Sequence, residues 1–117
     1  MHFVYLFTRQ AYGHSLAREA LDMALATAAF EQTVSLVFLN DGIYQLLTAK
    51  DAQDIDKKPH TGPINALPLY DVTNIFYLNE DRQARHINQQ HLVAHASAIS
   101  LPDFKNLISS ADRVQSF

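Results

Sequence analysis

Two short runs, His2-Phe3-Val4-Tyr5-Leu6-Phe7 and Val34-Ser35-Leu36-Val37-Phe38-Leu39, constrain the fold more than anything else in the chain. Neither alternates apolar with polar residues. A strand with one wet face shows that alternation. A strand covered on both faces does not, and such strands belong in parallel sheets with helices on either side. The stretch between the two runs, from about Ser15 to Phe30, reads as a helix with Ser15 as its N-cap. Strand, helix and strand in succession predict a parallel crossover unit.

The remaining elements follow the same order. Asn40-Asp41-Gly42 is a turn signal, and Ile43–Leu47 reads as a short helix. Residues 48–66 are mostly polar, with Pro59, Gly62 and Pro63, and read as a surface connection. Asn74–Leu78 is the third strand, Leu92–Ile99 the fourth, Pro102–Ala111 the last helix and Arg113–Phe117 a short closing strand. The expectation is an α/β layered sandwich, with a mainly parallel sheet of about five strands flanked by helices. All 117 residues belong to one domain.

Composition removes several functions. There is no cysteine, so the chain has no disulfide, thiolate metal site or thiol nucleophile. A chain without disulfides suits a cytoplasmic setting. Twelve acidic against nine basic residues give a net charge of −3, so direct nucleic-acid binding is not expected. No run approaches the roughly 18 apolar residues of a membrane span, and Phe3–Phe7 is too short for a secretory core.

Candidate sites are few. Thr8-Arg9-Gln10-Ala11-Tyr12-Gly13-His14-Ser15 joins a strand to a helix start, where backbone N–H groups favour an anion. A small flavin- or anion-binding protein would use that position, but one glycine and no Gly-Lys-Ser/Thr make a plain connection the commoner reading. His91 and His95 have i, i+4 spacing and His86 lies nearby, but no H-E-x-x-H pattern surrounds them, so structural histidines are expected and no metal or other cofactor. His14 and His60 have no recognisable catalytic partner. Asp41 and the loop Asn79-Glu80-Asp81 would lie at the carboxyl edge of the sheet, where open α/β folds gather ligands. A turn or cap role explains Asp41 equally well. A phosphoacceptor receiver domain is excluded by Thr8-Arg9-Gln10 where its acidic cluster would stand.

The first helix is apolar over most of its circumference. Ala17, Ala20, Leu21, Ala24 and Ala28 form a stripe for the sheet, while Met23, Ala26 and Phe30 point elsewhere. Either residues 48–66 fold over that second stripe or another subunit does. On the latter reading, Met23 and Phe30 are the expected interface residues.

Several segments together resemble the DsrE/DsrF-like sulfur-relay family, in its TusC-like (DsrF-like) branch. Phe7-Thr8-Arg9-Gln10-Ala11-Tyr12-Gly13 is similar to the family's first strand and loop. Arg18-Glu19-Ala20-Leu21-Asp22-Met23-Ala24-Leu25-Ala26 is similar to its R-E-G-L-D-x-x-L-A helix. Phe38-Leu39-Asn40-Asp41-Gly42-Ile43-Tyr44-Gln45-Leu46-Leu47 resembles F-x-x-D-G-V-x-Q-L, the most specific match. Leu67-Pro68-Leu69-Tyr70-Asp71 and Val114-Gln115-Ser116-Phe117 match later segments. Ala11 stands where a proline is common and Ala20 where a glycine is common.

The resemblance implies a subunit of a TusBCD-type heterohexamer, two copies each of three related chains, with TusB-like and TusD-like partners. Such a complex relays persulfide sulfur for 2-thiolation of the wobble uridine in tRNA. The same subunit type also implies an alternative, a sulfur-oxidation complex. In the family the TusD-like partner carries the cysteine after a central strand. The corresponding neighbourhood here, Tyr77 to Asp81, has none, so the expected role is structural rather than catalytic.

Overall fold

A computed structural model of the chain describes residues 1–9, 16–48 and 61–117, the side chains of 16, 17 and 61–63 excepted. Five strands form one sheet: β1 (His2–Phe7), β2 (Thr33–Phe38), β3 (Asn74–Leu78), β4 (Ser97–Ile99) and β5 (Arg113–Ser116). Their order is β4-β3-β2-β1-β5 and every pairing is parallel. Register places Val4 beside Ser35 and Val114, and Phe38 beside Tyr77. Among the described residues, four α-helices accompany the sheet: α1 (Leu16–Ala29), α2 (Thr61–Ala66), α3 (Asn79–Ala84) and α4 (Leu101–Ser110). Tighter 3₁₀ turns cover Asn40–Leu46, Leu67–Tyr70 and Gln89–His91.

The main core lies on one face of the sheet. Alternate residues Tyr5 and Phe7, Val34, Leu36 and Phe38, and Ile75 and Tyr77 meet Ala20, Leu21 and Ala24 of α1. Ile43, Leu46, Ile64 and Leu67 complete it from the connections. Val4 and Val37, the intervening strand residues, are also fully buried. The unbroken apolar runs are thus strands covered on both faces, as the missing alternation implies. Helix α4 carries the chain from edge strand β4 back to edge strand β5, with Leu101, Phe104, Leu107 and Ile108 half-buried. Its start is capped by Ser100 Oγ, which accepts the Asp103 N–H at 3.2 Å.

Buried polar groups inside the sheet are paired. Ser35 Oγ lies 2.7 Å from His2 Nε2. The Thr27 hydroxyl donates to the Met23 carbonyl at 2.9 Å, which leaves its oxygen to accept from the Tyr5 hydroxyl at 2.6 Å. That second bond, at the margin of the core, ties β1 to α1.

Three expectations need correction. The apolar stretch Leu92–Ile99 is not one strand. Leu92 makes an antiparallel bridge to Leu47, and β4 is confined to Ser97–Ile99. Leu92 and Val93 are buried against the core, so their hydrophobicity serves packing rather than a longer strand. Asn79-Glu80-Asp81 is no loop but the first turn of α3. Residues 61–66 of the supposed surface connection form α2, and Ile64 is fully buried. Positions 49–60 of that connection lie outside the described residues.

Candidate functional site at the carboxyl edge

Strands β1, β2 and β3 all end at one edge of the sheet, and short-range chemistry ties their exits together there. The exit of β2 turns sharply because Asn40 takes a left-handed conformation, φ 50°. Leu39 N–H donates to the Phe7 carbonyl at 2.8 Å, drawing this turn onto the end of β1. Gly42 then passes so close that a Cβ there would collide with the Phe7 carbonyl. Only glycine fits this approach. Two residues of the same turn, Ile43 and Leu46, are fully buried beneath it.

Gln45 extends the connection. Its side chain is 3% exposed, and its Nε2 donates to the Arg9 carbonyl at 2.7 Å. Its Oε1 is buried without a partner among the described residues. The motif around Asp41-Gly42 thus fastens the second strand's exit turn to the start of the first strand's exit loop.

The third strand is fastened by charge. Asp81 Oδ2 accepts the Asn40 N–H at 2.7 Å. Arg85, one turn further along, places Nη2 3.1 Å from Asp41 Oδ1 and Nη1 3.5 Å from Asp81 Oδ1. Its side chain is 22% exposed and that of Asp81 16%, so this pairing is better shielded than an ordinary surface bridge. Arg82 is occupied locally: Nε donates to Asn79 Oδ1 and Nη1 to the Ile87 carbonyl, both at 3.0 Å.

Beside α3 an open cleft of about 460 Å³ is lined by Asn79, Glu80, Arg82, Gln89, Ser100 and Asp103, among others. One guanidinium faces two carboxylates there, and the Ser100 hydroxyl is used in capping. Such a mixed lining suits hydrogen bonding to a polar surface better than capture of a single charged ligand. A second cleft, about 510 Å³, runs along β1 and β5 and includes Met1, Phe3, Tyr5 and Val114.

The structure separates the histidines. His86 takes φ 54° at the end of α3, with its N–H donating to the Gln83 carbonyl and Ile87 N–H to the Arg82 carbonyl. That is a Schellman close, in which His86 fills the left-handed position usually given to glycine or asparagine. His95 Nε2 meets the Ile64 carbonyl at 3.1 Å, tying α2 to the segment before β4. His91 is half-buried in the turn Gln89–His91. No three His, Asp or Glu residues are grouped to hold a metal among the described residues. His14, His60 and the segment Gln10–Ser15, including the expected cap Ser15 and its anion position, lie outside the described residues. Thr8 is engaged: its N–H and hydroxyl both reach the Phe117 carbonyl.

Met23 is 40% exposed and Phe30 77%, while Ala20, Leu21 and Ala24 on the opposite side of α1 are buried. Sequence reasoning singled out neither Arg82 nor Arg85, and met Gln45 only as one position of the F-x-x-D-G-V-x-Q-L match. The i, i+4 spacing of Asp81 and Arg85 was a readable signal for one of them.

An open parallel sheet with the exits of three successive strands bolted together at its carboxyl edge defines a small parallel α/β domain. The chain belongs to the DsrE/DsrF-like family, whose model matches residues 1–117. It is 32% identical over 113 residues to a protein of Vibrio parahaemolyticus named Protein TusC homolog, covering 97% of this chain and 96% of that one. It is 34% identical over 112 residues to the intracellular sulfur oxidation protein DsrF of Allochromatium vinosum, covering 94% and 82%. The crystal structure of the ychN protein from E. coli superposes with a TM-score of 0.79 over the whole of both chains, at 18% identity, and so shares the fold.

Proposed function

We propose that this chain is a non-catalytic subunit of a cytoplasmic sulfur-relay assembly, acting as one domain beside partners that carry the sulfur. The observation that carries this reading is the chemistry of the third strand's exit. A persulfide carrier needs a thiolate, and the chain has no cysteine at all. Where the family resemblance puts a partner's cysteine, this chain has Asn79–Asp81 wound into α3 and tied down by Asn40 and Arg85. A fixed corner suits a structural part. A carrier must bring its sulfur from donor to acceptor.

The partners are TusB-like and TusD-like chains, two copies of each subunit in a heterohexamer, and the assembly supports 2-thiolation of the tRNA wobble uridine. The relative named TusC homolog, matched over nearly the full length of both chains, supports that choice. The similarly close DsrF relative supports the second reading, a subunit of a sulfur-oxidation complex. Met23 and Phe30 belong to the subunit interface, since α1 buries its other side against the sheet and leaves these two outward.

Coexpression with the TusB-like and TusD-like chains of the same source, followed by light scattering, tests the reading. A stable complex containing all three is expected. Complementation of a strain lacking its own TusC-like chain, read as thiolated uridine in its tRNA, separates the two relays. Restored thiolation supports the tRNA reading, and a stable complex without it favours sulfur oxidation.

A further inference from the structure

We propose that α1 and the turn Leu67–Tyr70 form one docking surface whose occupant is a different protein chain, presenting apolar side chains inside a basic rim. A second copy of this chain does not fit it. The inference rests on the reading of the chain as a subunit of a mixed assembly and adds the chemistry of the partner.

Six large apolar side chains are exposed among the described residues, and four of them lie on these two neighbouring elements. Met23 and Phe30 come from α1 and its end, Leu69 and Tyr70 from the turn, at 84% and 58% exposure. The helix and the turn pack against each other. Scattered single apolar residues are ordinary on a surface, but four on adjoining elements are not.

The turn is built to hold its pair outward. Leu67 is fully buried as a peg. Asp71 N–H donates to the Pro68 carbonyl and Val72 N–H to the Leu67 carbonyl, both at 3.1 Å, with Asp71 at φ 64°. Side chains displayed on a braced turn lose little freedom when a partner covers them.

Charge selects the occupant. Among the described residues next to them in the chain, Asp22, Glu31 and Asp71 are acidic and Arg18 is the one base, already paired with Asp22 at 3.3 Å. Glu31 and Asp71 are exposed and carry no ion pair among the described residues. Two copies placed face to face would bring like charges together, which is costly at an interface. A partner whose apolar patch is rimmed by lysine or arginine gains from the same charges, chiefly in its rate of encounter.

The test is surface plasmon resonance of this chain against the co-purified TusB-like and TusD-like chains, at low and high salt. Circular dichroism confirms that each variant is folded. Leu69→Ser with Tyr70→Ser is expected to speed dissociation about tenfold or more, because central apolar anchors act on residence time. Glu31→Gln with Asp71→Asn is expected to slow association about three- to tenfold at low salt and little at high salt. Asparagine keeps the left-handed backbone at position 71. If the unaltered chain binds neither partner, the subunit reading itself falls. If it binds and both variants bind unchanged, the surface assignment alone is overturned. If the isolated chain dimerises and Leu69→Ser abolishes the dimer, the occupant is a second copy and the proposal is wrong.

Discussion

Gly42 shows how much one missing Cβ can decide. Its backbone lies against the Phe7 carbonyl, a backbone atom that cannot swing aside. Gly42→Ala is therefore expected to cost about 2–3 kcal/mol, as overpacking against fixed atoms does, seen as a lower urea midpoint with an unchanged slope. Tyr5→Phe removes the hydroxyl that reaches Thr27 and should cost about 1 kcal/mol. By contrast, Arg18 and Asp22 are each more than 60% exposed, and Arg18→Ala should change stability by less than about 0.5 kcal/mol. Asp41-Gly42 was legible as a turn because such dipeptides mark turns locally. The reason for the glycine was not, since it depends on a carbonyl 35 positions earlier in the chain. Gln45 was equally opaque: a glutamine three residues past a turn says nothing of a buried bond to Arg9.

Elements divide in the same way. β1, β2 and β3 were readable because a run of β-branched, aromatic and leucine residues bounded by turn residues needs no tertiary information. Helix α1 was readable from its periodic apolar stripe. Helix α3 was not: Asn79-Glu80-Asp81-Arg82-Gln83-Ala84 has no apolar face, and six residues are too few to form a helix alone. It exists because tertiary ties hold it, namely the Asn40 N–H to Asp81 bond and the Arg85 bridges. Arg85→Met keeps the alkyl packing and deletes those bridges. It should lower global stability by about 1–2 kcal/mol and raise amide exchange across 79–84 selectively, while exchange in β1 and β2 follows only the global change. Equal acceleration everywhere would mean that α3 does not depend on Arg85. The run Leu92–Ile99 misled for the opposite reason. Its apolar residues are real, but Leu92 and Val93 plug the core from a bridge and only the last three positions pair in the sheet.

At the scale of the molecule, the arrangement combines a closed core, a tied-down carboxyl edge and one helix face left outward. No described helix is long and apolar enough to cross a membrane. Fold class and family were legible, because the succession of elements and the Asp41-Gly42 turn are chain-local features that add up, whereas α2, α3 and the extent of β4 were not. The exposed apolar residues proposed to face a partner were only half legible. Met23 and Phe30 stand out on a helical wheel, whereas Leu69 and Tyr70 look like core residues until the turn shows them outside. Met23→Glu should weaken assembly by about 1–3 kcal/mol, read as release of this subunit on dilution, while leaving its own unfolding nearly unchanged. The central claim, that a chain without cysteine serves a sulfur relay by assembling with chains that have one, is tested most directly by mass. Coexpressed with its TusB-like and TusD-like partners, the chain should co-elute in a complex holding two copies of each. Elution at 13.2 kDa, the mass of this chain alone, whatever partners are present, would contradict the account.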